Sequence, residues 1–348
     1  MRILIMEHLT SAPGRSIPEH LIAEGRAMRD AVLGDLLAIR GTQIVLFGHR
    51  EHAVRSRPRL HQVESGPHRN ARFRSLVRAA NAVLVIAPEG DGLLARFCRI
   101  VEEEGRLLLG PSAAVVRLAT DKWRLHEILR AAGLATPTTT LLRRDRAAAV
   151  LRRRPRPFVL KPRDGFGGLG VTIVRRADRI QPALEAVASA TRRGDLLVQE
   201  FVPGEPASVS VLVGCNEGTG VIRAVPLGLN HQHLIGTGRP IYTGGESGWS
   251  HPMSGAAILA AVDAVKALAR SVSGCRGYLG VDLMIGPAGP VILEINPRIT
   301  TSYIGIRQVI GRNPAALILD ACQARTLPSA IAILGRSRFK SGGAVRTI

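Results

Sequence analysis

The sequence predicts an α/β N-terminal lobe followed by two α+β lobes, on three observations. Up to residue 112, continuous apolar strands alternate with amphipathic helices, the pattern of a parallel sheet covered on both faces. Residues 158–174, FVLKPRDGFGGLGVTIV, set a Gly-rich turn between two strands. Residues 277–298 read as a hairpin whose apolar strands carry two carboxylates and an amide. With 348 residues there is room for several packed lobes, expected at 1–112, 113–200 and 201–348.

The first lobe opens with the strand MRILIM. Residues 18–40 have helical spacing, with Leu21, Met28, Val32, Leu36 and Ile39 on one face. TQIVLFG is a second strand, and the polar stretch 50–70 reads as loop. A helix over 72–80, a third strand AVLVIAP, a helix over 91–105 and a fourth strand RLLLGPS follow. Beyond residue 112 come a helical stretch, the capped helix TDKWRLHEILRAAG ending at Gly133, and a turn TPTTT. The Arg/Pro-rich RRRPRPF leads into the strand FVLK, then a helix near 178–193 and the strand DLLVQEFV. The last lobe shows strands near 207–213 and 221–229, a Gly-rich loop at 236–248 and a helix over 254–272. The 277–295 hairpin and a helix over 313–323 complete it.

The formal charge of +20 raises the question of nucleic acid. The basic residues are spread along the chain and aromatics are only 3%, so no interleaved stacking surface is visible and nucleic-acid binding is disfavoured. Attraction of anionic substrates is a second use for the charge. No apolar run reaches the roughly 20 residues of a membrane helix. The N-terminal stretch lacks a signal-peptide pattern. Cys98, Cys215, Cys275 and Cys322 are scattered without a CxxC pair, so a reduced, cytoplasmic setting is expected. Of the 47 basic residues only Lys122, Lys161, Lys266 and Lys340 are lysines. Where Arg is used almost everywhere, a retained Lys suggests a site that needs a compact ammonium.

Three motifs carry chemistry. In the first, Gly165, Gly167, Gly168 and Gly170 let backbone N–H groups approach phosphate oxygens, and Lys161 ends the preceding strand within reach of them. The Lys precedes the glycines and the turn leads into a strand, unlike a P-loop or a dinucleotide fingerprint. In the second, a loop at 286–290 would set 285 opposite 291 and 282 opposite 294. Asp282, Glu294 and Asn296 then share one face, and such hard oxygen donors suit Mg²⁺ held together with nucleotide phosphates. Arg298 follows as a candidate anion holder. In the third, the strand ending at Gln199-Glu200 and the run Phe201-Val202-Pro203-Gly204-Glu205 form a hinge whose backbone could pair with an adenine edge.

In this order and spacing the motifs resemble the ATP-grasp family over residues 112–325, behind an N-terminal α/β lobe. The resemblance implies ATP between two α+β lobes. It implies that Lys122 and Lys161 contact ATP, that Glu200 and Val202 hold adenine, and that Glu205 holds ribose. Asp282, Glu294 and Asn296 would hold Mg²⁺, with Mn²⁺ as a substitute, and Arg298 would steady the transferred phosphate. Four stretches resemble the tyramine–glutamate ligases of methanofuran biosynthesis and their bacterial relatives: residues 7–28, LNHQHLI at 229–235, YTGGESG at 242–248, and EINPRITTSYIGIR at 294–307. That resemblance implies a carboxylate–amine ligase working through an acyl phosphate, joining glutamate to tyramine or a tyrosine-like amine for a methanofuran-like one-carbon carrier. Lys161 and Arg298 would be its catalytic residues. Asn230, Gln232, Tyr242, Glu246 and Ser302 border the expected substrate region, and Tyr303 stands beside them. His231, His233 and His251 lack metal spacing and read as structural. A D-alanine-ligase-like or biotin-carboxylase-like activity and a non-catalytic ATP-binding protein are the alternatives. The expected partners are small-molecule carboxylates and amines, with a homo-oligomer left open and no membrane.

Overall fold

The computed structural model describes residues 1–12, 18–215, 221–325 and 327–348. Residues 13–17, within the N-terminal stretch that carries part of the resemblance, lie outside them. The N-terminal lobe runs β1 (Arg2–Glu7), α1 (Glu19–Ala38), β2 (Gln43–Gly48), β3 (Leu60–Glu64), α2 (Arg69–Arg78), β4 (Ala82–Ile86), α3 (Leu93–Glu103) and β5 (Leu107–Leu108). Its strands are all parallel, in the order β3-β2-β1-β4-β5. Alternate residues serve the two faces, as a doubly covered sheet requires. Ile3, Ile5 and Leu84 pack on Val32 and Leu36 of α1, while Leu4, Met6 and Val83 pack on Phe73 and Phe97 of α2 and α3. The β3 edge strand corrects the reading of 50–70 as loop. It leaves His61, Gln62 and Glu64 exposed, so it lacks the apolar run that marks the inner strands.

The chain then forms α4 (Ala113–Thr120) and α5 (Lys122–Ala131). Each is capped by an oxygen side chain: Ser112 accepts from Val115 N, and Asp121 accepts from Arg124 N. A small antiparallel sheet follows from β6 (Thr139–Arg143), α6 (Arg144–Arg152), β7 (Phe158–Pro162), β8 (Thr172–Val174), α7 (Ile180–Ala190) and β9 (Asp195–Glu200), in the order β6-β9-β7-β8. Phe158, Leu160, Leu196 and Val198 point at α6 and α7. The alternating positions, Lys161 among them, therefore face away from those helices. β6 takes over the end of the expected TPTTT turn, and α6 lies where no element was read.

A larger antiparallel sheet completes the molecule: β10 (Glu205–Cys215), β11 (Ile222–Ile235), β12 (Ile241–Ser247), α8 (Ser254–Ser271), β13 (Gly277–Gly286), β14 (Gly289–Asn296), α9 (Ser302–Val309), α10 (Pro314–Cys322), β15 (Ser337–Lys340) and β16 (Val345–Thr347). The order is β14-β13-β10-β11-β12-β15-β16. One face, with Val209, Val211, Val281 and Leu283, packs on α8 and on α4 and α5. Toward one end of the other face, Leu212, Leu227 and Tyr278 meet α9, α10 and α1.

The expected loop at 236–248 is largely strand β12, a second correction. Its glycines belong to crowded strand packing. A side chain on Gly245 would clash with the His231 carbonyl of β11, and one on Gly244 with the Phe339 carbonyl of β15. No helix among the described residues is long and apolar enough to cross a membrane.

Candidate active site

The hairpin delivers its carboxylates by a register that includes an irregularity. The turn is tighter than expected: Gly286 pairs with Gly289 and Ile285 with Pro290, so 285 does not face 291. A shift between Asp282 and Leu283 restores the pairing of Asp282 with Glu294. Asn296 Nδ2 donates to Asp282 Oδ2 at 2.9 Å, and Gln232 Nε2, from β11, donates to Asp282 Oδ1 at 2.9 Å. Asp282 and Glu294 face each other directly across the hairpin. Burial and the neighbouring Glu294 charge raise the Asp282 carboxyl above its ordinary range. Burial also opposes ionisation of Glu294, but Lys122 and Lys161 outweigh it and hold this carboxyl low.

Both lysines come from outside the hairpin, Lys161 from the smaller sheet and Lys122 from a helix packed on the larger one. Lys122 opens α5, whose N-terminus is tied to the end of β7 by a 3.0 Å bond from Lys122 N to Arg163 O. Its Nζ lies 2.7 Å from Glu294 Oε2. Arg163 bonds Asp121 at 2.6 Å and Asp195 at 2.8 Å, locking that junction. Lys161 leaves β7 on the face opposite its helices and is only 5% exposed. Burial depresses its ammonium to about 8, against the attraction of Glu294 and with the help of Lys122.

After β7 the chain makes its Gly-rich turn. Gly167, Gly168 and Gly170 have φ of 58°, 71° and 76°, which side-chain-bearing residues rarely adopt. A Cβ on Gly170 would lie 2.8 Å from both Ala190 Cβ and Pro162 Cγ. The turn rests on the N-terminal lobe: Leu21 of α1 lies beside Gly167, and Phe166 covers Gly90.

Arg298 follows β14 and reaches 209 residues back in sequence, donating Nε to Glu89 Oε1 at 2.6 Å and Nη2 to Oε2 at 3.2 Å. Sequence reading missed Glu89. It lies just past the carboxyl end of β4, beside the β1/β4 position where the strand order reverses, and open α/β sheets use such places for ligands. Glu24 of α1 was also missed. Burial raises it to about 7 while Arg298 pulls it down. The loop carrying Arg298 is held by Tyr278, whose hydroxyl pairs with Ser210 Oγ at 2.7 Å and Thr300 Oγ1 at 2.9 Å.

The other sequence candidates separate. Gln232 joins Asp282, and Tyr242 accepts from Thr301 Oγ1 at 3.0 Å. Asn230 and Ser302 lie in an interior network: Asn230 bonds Ser208 and Ser247, and Ser302 Oγ lies 3.3 Å from Ser208 Oγ. Tyr303 donates to Asp35 of α1 at 2.8 Å. Glu246 pairs across the ladder with His231, not with the Gln232 position, and is gripped by Arg336 and Arg338. Glu200 ends β9, exposed, with its N–H on Thr138 O at 2.9 Å, and Val202 is partly buried in the segment before β10. Glu205 is half-exposed, 3.4 Å from His251 Nε2. His231 stacks on Trp249 at 4.6 Å, consistent with a structural role.

Among the described residues no three His, Cys, Asp or Glu side chains cluster as a self-sufficient metal cage. Two abutting carboxylates with an amide fit instead a hard divalent ion that takes its remaining oxygens from phosphates and water. Burial and the Glu294 charge both raise Asp282, and such an ion would offset both. The neighbouring Gly-rich turn is a cradle of small residues suited to phosphate.

The chain is similar to known proteins. The family described as ATP-grasp domain matches residues 119–302, over half of the chain, and the family described as pre ATP-grasp 3 domain matches 44–116. The tyramine–L-glutamate ligase of Methanocaldococcus jannaschii is 29% identical over 68% of this chain, and the match spans 62% of that enzyme's length. The ligase of the same name from Methanocaldococcus fervens is 26% identical over 83% of this chain and 84% of its own. The fold is also that of the biotin carboxylase domain of the Hydrogenobacter thermophilus 2-oxoglutarate carboxylase, solved with MgADP. Its TM-score is 0.71 at 18% identity, covering 97% of this chain and 73% of that one.

Proposed function

Because this chain belongs to the ATP-grasp family, we propose that it is an ADP-forming carboxylate–amine ligase. The observation that carries this is the convergence of Asp282, Glu294 and Asn296 with Lys122 and Lys161 beside a glycine cradle. Asp282, Glu294 and the Asn296 amide oxygen would hold Mg²⁺, which when bound neutralises charge on the β- and γ-phosphates. Lys161 and the turn amides orient the γ-phosphoryl toward the substrate carboxylate. The carboxylate oxygen attacks the γ-phosphorus as the bond to ADP breaks, giving an acyl phosphate; a neutral amine then attacks the acyl carbon, gives up a proton and expels phosphate, forming the amide. Arg298, held by Glu89, presents its remaining N–H groups to the oxygens that carry charge in both steps. The closed turn keeps water from the acyl phosphate. Backbone groups near Glu200 and Val202 would receive adenine, and Glu205 the ribose.

The matches to tyramine–L-glutamate ligases support a finer reading, in which glutamate is activated and tyramine or a tyrosine-like amine accepts it, for a methanofuran-like carrier. A screen of ADP release with glutamate and a panel of amines tests it. Turnover with tyramine or a tyrosine-like amine above the amine-free rate is expected. No amine-dependent ADP release with glutamate, but release with D-alanine, would replace this reading with a D-alanine-ligase-like one.

A further inference from the structure

We infer that Glu24 anchors a substrate ammonium group, making the site selective for positively charged amines. The inference deepens the ligase reading and rests on it.

Position comes first. Leu21, one turn before Glu24 on α1, lies beside Gly167 of the phosphate turn. Ala27, one turn after, packs on Ile304 and Phe339, with Tyr242 against the same cluster. Glu24 shares that helix face by i, i+3 spacing, so it stands between the turn and Tyr242. The next residue, Gly25, backs onto the buried Glu7 carboxylate, 2.7 Å from where a Cβ would sit, which fixes the helix at this point. Arg298 lies near enough for its charge and that of Glu24 to influence each other.

Charge comes second. Lys122 is matched by Glu294 at 2.7 Å, and Arg298 is matched by Glu89 through two bonds. Among the described residues Glu24 has no hydrogen-bond or ion-pair partner of its own. A half-buried carboxylate without a cation is unfavourable, and the neighbour that could neutralise it is already engaged. An alkylammonium supplies the missing charge and three N–H donors. In a carboxylate–amine ligase that group can come from the α-ammonium of an amino-acid donor, or from the acceptor amine, which binds as ammonium and gives up a proton before it attacks.

The test compares parent, Glu24→Gln and Glu24→Asp with ATP, using substrates with and without an ammonium. Glutarate plus hydroxylamine carries none and reports acyl-phosphate formation as hydroxamate. In Glu24→Gln we expect the KM of one ammonium substrate to rise at least about tenfold, with partial recovery in Glu24→Asp and a far smaller change in hydroxamate formation from glutarate. A rise confined to tyramine assigns the pocket to the acceptor; a rise for glutamate but not glutarate assigns it to the donor. Unchanged KM for both, or an equal loss with glutarate and hydroxylamine, overturns the inference. If the parent forms no hydroxamate with any acid, the ligase reading itself fails. The pocket is then judged by thermal melts with tyramine and with glutamate. A stabilising shift in the parent that is lost in Glu24→Gln upholds it, and no such difference overturns it.

Discussion

Replacing Glu294 by Gln keeps the side chain's shape and removes one charge from a site where the charges are nearly balanced. In the parent, Glu294 sits 2.7 Å from Lys122 and also stabilises Lys161. Breaking a buried ion pair by removing one partner costs about 3–5 kcal/mol. The cost here should be nearer about 1–3 kcal/mol, because the pair is only partly buried, with the Glu294 side chain 27% exposed, and Asp282, relieved of the Glu294 charge, can act as the counter-ion. The fold should therefore persist, with a lowered melting temperature. Activity should suffer far more. Loss of one group stabilising charge at the reacting centre typically costs about 10²–10³ in rate, and a carboxylate that would ligate Mg²⁺ belongs at the upper end. About 10³ corresponds to about 4 kcal/mol of barrier. Asn296→Ala, which removes a neutral oxygen, should cost about 10- to 100-fold by the same reasoning. The assay is steady-state ADP release at saturating ATP, Mg²⁺, acid and amine. Turnover of Glu294→Gln within tenfold of the parent would refute the assignment of this hairpin as the metal site.

Three further outcomes are expected. The Glu24 carboxyl, pushed up to about 7 by burial and opposed by Arg298, is largely protonated below pH 6 and ionised above pH 8, with Arg298 and Tyr242 as its charged and titratable neighbours. The KM for an ammonium substrate should therefore fall as pH rises through 7, and this limb should vanish in Glu24→Gln; a limb that survives the substitution counts against the anchor. Gly170→Ala forces a Cβ to within 2.8 Å of Ala190 and Pro162 at a φ of 76°, so the turn must shift and the KM for ATP should rise at least about tenfold. In Asp35→Ala the buried Tyr303 hydroxyl loses its acceptor at about 1–3 kcal/mol, while the part-exposed Arg307 can turn to water. Thermal melts should show that loss, and adding Tyr303→Phe, which removes the unpaired hydroxyl, should recover part of it.

What the sequence revealed and hid follows one physical line. The proposed ATP-binding half was legible because its residues lie close in sequence. Lys161 and the four glycines share one turn, and Asp282, Glu294 and Asn296 share one hairpin with a period-2 pattern. Even an error in turn length left Asp282 opposite Glu294, because the irregularity beside Asp282 compensates. Edge and crowded strands were harder. β3 has too few buried positions to show alternation, and the glycines of β12 look like loop although steric crowding between neighbouring strands requires them. Glu246 looked like a substrate residue beside glycines, yet alternation along β12 turns it toward Arg336 and Arg338.

The proposed substrate half was hidden because it is assembled across the lobes. Arg298 lies 209 residues from Glu89 along the chain, and no spacing rule connects β14 to the carboxyl end of β4. Their bidentate pairing alters what Arg298 can do. Nε, one N–H of Nη2 and one of Nη1 are engaged by Glu89 and the Ile299 carbonyl, leaving two guanidinium N–H groups for a ligand. Glu89 thus aims Arg298, and by the proposal above it competes with Glu24 for that charge. Glu89→Gln should release that constraint in two measurable ways. The rate at saturating substrates should fall, because Arg298 is no longer held against the reacting oxygens. The KM for the ammonium substrate should rise as well, because Glu24 gains Arg298 as a partner and the substrate must displace it. Adding Glu24→Gln should then bring no further rise in KM, since the two substitutions remove the same binding charge. Independent, multiplying effects on KM would mean that Glu89 and Glu24 do not compete for Arg298.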